Sequence, residues 1–351
     1  MTADHQTNAY IDHFGYALGS QKHGVEESAA AGRTHNPASA FLQSGFRWHH
    51  TSGDDETSYD LAKAAVGAIG DDLGDIDAIV YATCIPSNAN LGDPAKFTET
   101  SDVKHLMDFP VSRLQADLDL ARAFVVGIGQ QACTSMLGSL RIAHGLLATD
   151  SSIARVLCVS ADRFPPGATY EQAYSLISDG AAACVVSREP AAYRLVAAHH
   201  ITNGAMVFAD DDETVGSYFA YTHRLATELL AKAGLTTDDI DWVVPQNTDV
   251  KAWQILSRLL RIDPAKVCCP SLPDVAHVIS GDNIINLSFL HDRGVVEPGQ
   301  RLLLTMAGFG MNWQGVLLEK TCQEKTGQEK TGPEKTGPEK TGPEKTGQEA
   351  M

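Results

Sequence analysis

Four stretches of the chain set apolar side chains three and four residues apart: SYDLAKAAVGAI from Ser58, SMLGSLRIAHGLLA from Ser135, SYFAYTHRLATELLAKAG from Ser217 and KAWQILSRLLRI from Lys251. That spacing lines one face of a helix, so each predicts a helix with a buried stripe. Between them run short segments that are apolar at nearly every position, among them AIVYA from Ala78, AFVVGIG from Ala123, RVLCVS from Arg155 and AAACVVS from Ala181. A strand apolar on both faces belongs in the middle of a sheet covered by helices on each side. The pattern predicts an α/β protein.

The elements also recur in order. DDLGDIDAIVYATC from Asp71 is echoed by GLTTDDIDWVVPQNTD from Gly234, and ARVLCVSAD from Ala154 by GQRLLLTMAGFG from Gly299. Each member of the second pair is followed by another strand, DGAAACVVS from Asp179 and NWQGVLLEK from Asn312. Order kept across two halves predicts an internal duplication, with one half over residues 1–190 and the other over 191–320. From Glu319 the text turns into the pentads EKTCQ, EKTGQ and EKTGP, without an apolar side chain to build a core. Residues 321–351 are expected to be a disordered repeat tail.

Composition narrows the classes. At 351 residues and 43% hydrophobic, the chain can bury a large core. No apolar run approaches the roughly 20 residues needed to cross a bilayer, and the first residues lack a basic stretch followed by an apolar one. A soluble cytoplasmic protein is the expectation. Net charge of -17 speaks against nucleic acid and anionic membranes as partners. The seven cysteines are scattered, without the spacing of a disulfide framework or a zinc site, so free thiols and no metal are expected.

Among them Cys133 stands where the run ending GIGQQA meets a predicted helix. Unpaired N–H groups and the positive end of the helix dipole favour a thiolate there, although a cysteine at such a place can equally be a small buried apolar residue. A thiol nucleophile needs a base. Of thirteen histidines, His277 lies just before a turn rich in Gly, Ser and Asp in the second half. Asp249 ends a predicted strand where a helix begins, a place that suits a catalytic carboxylate and an N-cap alike.

Cys133 in its strand-to-helix turn, SDGAAACVVS (Ser178 to Ser187), DWVVPQNTD (Asp241 to Asp249), AHVISGDNIINL (Ala276 to Leu287) and VEPGQRLLLTMAGFGMNWQGVLL (Val296 to Leu318) occur in the order of β-ketoacyl-ACP synthase III. LQSGFRW at Leu42 to Trp48 is similar to that family's Arg-Thr-Gly-Ile-Arg stretch. The resemblance, from about Tyr10 to Lys320, implies the thiolase fold, a duplicated five-layer α/β/α/β/α arrangement, and a homodimer. It makes residues 1–190 the half with the nucleophile and 191–320 the half with the histidine and aspartate.

The chain departs from the condensing members at their Cys-His-Asn triad. Gln246 stands at the family's histidine position and His277 at its asparagine position. A Cys133, His277 and Asp249 set suits acyl transfer through an acyl-enzyme, because a carboxylate behind imidazole stabilises imidazolium and would repel an enolate. This resembles the synthase-III-like acyltransferases of antibiotic pathways, which pass malonyl or related groups to a sugar or another small acceptor. The resemblance implies an oxyanion hole from the Cys133 N–H and the Gly308-Phe309-Gly310 loop, with Phe309 where the family has glycine, and supporting roles for Gln246 and Asn247. It implies a carrier-protein or CoA thioester as donor and no cofactor. Ser39 and Gln43 stand near the Trp and Arg that grip adenine in CoA-dependent members, which favours a carrier protein, with Arg258 and Arg261 as docking cations. Pocket-lining positions are expected at Phe208, Tyr218, Tyr221 and Met311. Decarboxylative Claisen condensation with His277 acting alone, and a non-catalytic partner subunit, are the alternatives.

Overall fold

The run AIVYA at Ala78–Ala82 is buried at every residue because successive side chains enter different cores. Ala78, Val80 and Ala82 join one cluster, and Ile79 and Tyr81 join another on the opposite face. The same alternation recurs along the neighbouring strands. It defines the layers of a computed structural model that describes residues 8–70, 73–88, 92–172, 175–208, 211–309 and 311–322.

The strands are β1 (Tyr10–Leu18), β2 (Gln21–Gly24), β3 (Trp48–Thr51), β4 (Ala78–Ala82), β5 (Phe124–Ile128), β6 (Arg155–Asp162), β7 (Glu171–Gln172), β8 (Ser175–Leu176), β9 (Gly180–Ser187), β10 (Tyr193–Thr202), β11 (Trp242–Pro245), β12 (Arg301–Gly308) and β13 (Asn312–Lys320). The helices are α1 (Val25–Ala30), α2 (Ala38–Gln43), α3 (Ser58–Gly67), α4 (Pro94–Thr100), α5 (Pro110–Asp117), α6 (Ser135–Thr149), α7 (Asp211–Lys232), α8 (Val250–Leu260), α9 (Leu272–Val275) and α10 (Asp282–Asp292).

Nine strands form one sheet in the order β11-β12-β13-β10-β1-β9-β6-β4-β5. It is two half-sheets joined where β1 meets β10 through the pairs Tyr10↔Arg194 and Ile11↔Tyr193. In the first half β5, β4 and β6 run parallel and β9 and β1 antiparallel. In the second, β11 and β12 run parallel and β13 and β10 antiparallel. A single parallel bridge from Val243 to Val267 stands where β5 would have its counterpart. Even the irregularities match: the register slips between Asp12 and Gly15 in β1 and between Leu195 and Ala197 in β10. The duplication expected from the sequence is therefore present in strand order and direction. Residues 190 and 191 fall in the turn between β9 and β10.

Helices α6 and α10 lie between the half-sheets. Met136, Leu137, Leu140 and Leu147 share one cluster with Ile284, Ile285, Leu287 and with residues of both half-sheets. Each such side chain, fully buried, contributes about 1.5–3 kcal/mol. Helix α3 covers the outer face of the first half-sheet through Leu61, Ala62, Ala65 and Val66. Gly15 of β1 is the point of contact, since a methyl group there would come within 2.2 Å of the Ala65 carbonyl oxygen. Helices α7 and α8 cover the second half-sheet through Ala226, Leu229, Leu230, Trp253, Leu256 and Leu260. The result is the expected five layers, α/β/α/β/α. No helix among the described residues is long and apolar enough to cross a membrane. The repeat tail expected from residue 321 lies, beyond Cys322, outside the described residues.

Candidate active site

At the end of β5 the chain reverses through two residues in left-handed conformation, Gln130 (φ 62°) and Ala132 (φ 46°). Cys133 follows in a 3₁₀ turn over Ala132–Thr134 that leads into α6. The turn is clamped from within, because the Thr134 hydroxyl and N–H both donate to the Gln131 carbonyl, at 2.6 and 3.0 Å. It is clamped from outside by the Gln314 amide, which donates to Gln131 Oε1 at 2.9 Å. Non-glycine residues held at positive φ carry strain that the surroundings must offset. Here it holds the thiol at the wall of a cavity of about 510 Å³.

The thiol is not the thiolate that a helix N-terminus would favour. A hydrogen bond with the Cys84 thiol, then burial, then the negative charges of Asp282 and Asp162 push it well above its ordinary value. Each of these favours the neutral form, so a base is needed to take the Cys133 proton. Cys84 is held by Asp162, the last residue of β6, whose carboxylate accepts the N–H groups of Cys84 and Ile85 and the Asn88 amide at 2.9–3.0 Å. Burial raises the Asp162 carboxyl to about 6.

His277 lines the same cavity. Its backbone is fixed by exchange with the end of β8 and the residues that follow: its N–H donates to the Leu176 carbonyl and its carbonyl accepts from Ser178 N–H, each at 2.9 Å. The ring is buried, and Nδ1 lies 2.5 Å from Oδ2 of Asp282. A carboxylate only accepts, so Nδ1 carries the proton and Nε2 is the basic nitrogen. Asp282 is the fully buried first residue of α10. Its oxygens also accept the Asn247 and Val278 N–H groups, both at 2.7 Å, and the helix dipole favours an anion at this end.

The carboxylate behind His277 is therefore Asp282, and the expected Asp249 partnership is not what the structure shows. Asp249 caps α8, accepting from Lys251 N–H at 2.8 Å and from the Ser44 hydroxyl at 2.9 Å. Its place at the start of a helix decides this, because the open N–H groups of α8 are its immediate neighbours. Asp282 also begins a helix, but in the loop that carries His277. The GDN text after HVIS was the only signal for it.

Gln246 reaches the cavity wall with its side-chain carbonyl tied to the Ala307 N–H at 2.7 Å. Asn247 points away into a buried polar network, donating to the Ser271 hydroxyl and the Ala276 carbonyl and accepting from Asn286. It ties the strand end of β11 to the loops bearing His277 and Asp282. Gly308 packs on the nucleophile turn: a methyl group there would sit 2.9 Å from the Cys133 nitrogen. Phe309 is 54% exposed in the cavity wall, and Gly310 lies outside the described residues. Tyr218 and Met311 line the cavity. Tyr221 instead stacks on Trp313 with centroids 4.5 Å apart, and Phe208 is 95% exposed. Ser39, Gln43, Arg258 and Arg261 are exposed, the first two on α2 and the others at the end of α8.

A duplicated five-layer α/β/α/β/α body with a cysteine at a strand-to-helix turn and a histidine from the second half defines a thiolase-fold protein. The family description 3-oxoacyl-[acyl-carrier-protein] synthase III matches residues 129–204, and that of its C-terminal part matches residues 230–320. The β-ketoacyl-[acyl-carrier-protein] synthase III of Roseobacter denitrificans is 24% identical over 79% of this chain and 88% of its own length. Among solved structures, 3-oxoacyl-(acyl carrier protein) synthase III, FabH, from Pseudomonas aeruginosa PAO1 superposes with a TM-score of 0.73 at 19% identity, covering 90% of this chain and 99% of that one. ChlB3, described as an acyltransferase, gives 0.72 at 19% identity, covering 90% and 98%. With these matches the chain falls in the β-ketoacyl-ACP synthase III-like family.

Proposed function

We propose that the protein is an acyltransferase that carries an acyl group from a carrier-protein or CoA thioester, through an acyl-enzyme on Cys133, to a hydroxyl or amine of a small molecule, and that it works as a homodimer. The observation that carries this reading is the buried Asp282 carboxylate on Nδ1 of His277. Nε2 takes the proton of the Cys133 thiol as sulfur attacks the donor thioester, and the oxyanion forms against the Cys133 N–H. The donor thiol leaves with the proton from the imidazolium. In the second half-reaction Nε2 takes the acceptor's proton, the acceptor attacks the Cys133 thioester, and the thiol is restored. Imidazolium forms twice, and Asp282 stabilises it each time, as the buried aspartate of a hydrolase triad does. An enolate would develop beside the same carboxylate without a second neutral imidazole, since Gln246 takes that place. The neutral resting thiol fits a mechanism that needs its base in both steps.

Intact mass after incubation with a panel of acyl thioesters tests the reading. Wild type should gain an acyl adduct that Cys133→Ala lacks, and products with small acceptors should be esters or amides. Release of CO2 from a malonyl thioester with a β-keto product would replace acyl transfer by condensation, and no adduct across the panel would remove the acyl-enzyme altogether.

A further inference from the structure

We infer that Cys84 and Cys133 form an oxidisable dithiol, a modification site that takes a hydroperoxide and closes as a disulfide across the wall of the active-site cavity. This rests on Cys133 being the reactive thiol of the acyl-transfer reading, but its readout is separate. Both thiols line the same cavity and pack against the cluster of Tyr170, Ile177 and Ile279. Each backbone is fixed by groups outside the pair. Asp162 accepts the Cys84 N–H with both oxygens at 2.9 Å, and the Gln131 turn and Gly308 hold Cys133. The two side chains thus share one wall of the cavity and one packing cluster, close enough for Cys84 to raise the Cys133 thiol, and the cavity gives a small oxidant access to both. No proton or acyl group passes through Cys84 in the acyl-transfer steps.

The chemistry balances with one equivalent of peroxide. Cys133, its proton passed to His277, attacks a peroxide oxygen and becomes a sulfenic acid as hydroxide leaves and is protonated to water. The Cys84 sulfur then displaces the sulfenic hydroxyl as a second water, so that two thiols and hydrogen peroxide become one disulfide and two waters. The disulfide removes the nucleophile reversibly and shields it from the irreversible sulfinic and sulfonic acids. An acyl group on Cys133 blocks the first step.

A second pair supplies the internal control. Cys158 and Cys184 stand directly opposite each other in β6 and β9, but both are fully buried. The test is hydrogen peroxide treatment of the full chain, alkylation of the remaining thiols and peptide mapping. Wild type should yield a linked Cys84–Cys133 peptide pair short of two hydrogen atoms, lose acylation of Cys133 and recover it with dithiothreitol. Prior acylation should prevent the link. In Cys84→Ser and Cys84→Ala the same dose should carry Cys133 to the sulfinic or sulfonic acid, which dithiothreitol does not reverse. Cys133 over-oxidised in wild type without a link to Cys84, or still a free thiol when the exposed Cys322 is fully oxidised, would overturn the inference. A link confined to Cys158 and Cys184 would do the same. Failure of every thioester to acylate a protein that still forms the Cys84–Cys133 link would count against the acyl-transfer reading alone.

Discussion

Two aspartates at two helix starts illustrate how the surroundings of a carboxylate decide its work. Asp249 spends its oxygens on a helix N–H and a serine hydroxyl, whereas Asp282 divides its oxygens between an imidazole and two loop N–H groups. Asp282→Asn keeps the shape and removes the charge that holds imidazolium, so acyl-transfer turnover should fall by roughly 10³–10⁴. Asp249→Ala should leave turnover within a few-fold and cost about 1 kcal/mol as a lost N-cap. Rates with an acylating thioester and urea unfolding separate the two; equal rate losses in both variants would return Asp249 to the site. His49 shows the same principle for stability. It is fully buried, with Nδ1 donating to the Ile177 carbonyl at 2.9 Å and Nε2 accepting from Ser28 at 2.6 Å, and burial lowers it from 6.5 to about 4. The unfolded chain takes up that proton first on acidification, so stability present above pH 6.5 is lost as pH falls to about 4, roughly 3 kcal/mol. Asp162 acts in the opposite sense: with its folded value raised to about 6, its contribution is present below the unfolded value of 3.8 and lost as pH rises through 6. The two nearly cancel in the wild type. The stability gap between wild type and His49→Gln should therefore shrink by about 3 kcal/mol from pH 7 to pH 4, measured by urea unfolding at each pH. A gap independent of pH would mean that His49 is not held neutral.

At the scale of elements, the site depends on β12 ending against the turn after β5. Gly308 is required because a methyl group on it would come within 2.9 Å of the Cys133 nitrogen. Gly308→Ala should push the strand end from the turn that aims the oxyanion donor, and acylation should slow by roughly 10²–10³. Gly67→Ala, with open space around it in α3, should leave the rate unchanged. Burst kinetics of acylation checks both, and an unaffected Gly308→Ala would remove the Cys133 N–H from the oxyanion hole. Periodicity in the sequence located α3, α6 and α8 to within a residue or two at their starts, because each buries a regular stripe. It started α7 at Ser217, six residues late, since the first turns of that helix carry acidic residues and no stripe. The turn before Cys133 was less legible. Glycines at 127 and 129 marked a reversal, yet Gly127 lies within β5 and the left-handed residues are Gln130 and Ala132. Tertiary clamps on that turn override local preference. Contacts between distant loops, Asp282 with His277 aside, left no periodic trace at all: the Asp162 anchor and the nearness of Cys84 to Cys133 depend on β4 and β6 ending where α6 begins. His277 itself stood out from the other histidines by its neighbouring turn, and its catalytic position came only through the family resemblance.

The duplication leaves the molecule unequal at its two ends. Among the described residues the half-sheet of β4 has a fifth strand, β5, whereas the half-sheet of β11 has a bridge at Val267 in that place. Strand β5 is an edge, and of its residues only Ile128 is buried, although the adjacent β4 is buried throughout. Phe124 is 54% exposed, and among the described residues no atom comes within 4 Å of a methyl group placed on Gly127. An apolar, uncharged edge invites pairing with another strand unless something covers it. A second copy of the chain supplies an identical edge, and antiparallel pairing about a two-fold axis satisfies both at once while closing the assembly at two subunits. In such a pairing Phe124 would pack across the joint, and the partner would brace the nucleophile turn that follows β5 directly. Light scattering on the purified protein should give twice the monomer mass, and Phe124→Lys combined with Val126→Lys should give the monomer mass with slower acylation of Cys133. A wild type that is monomeric at micromolar concentration would show that β5 is left open, and a monomeric double variant with full acylation rate would show that the turn holds its shape without the second subunit.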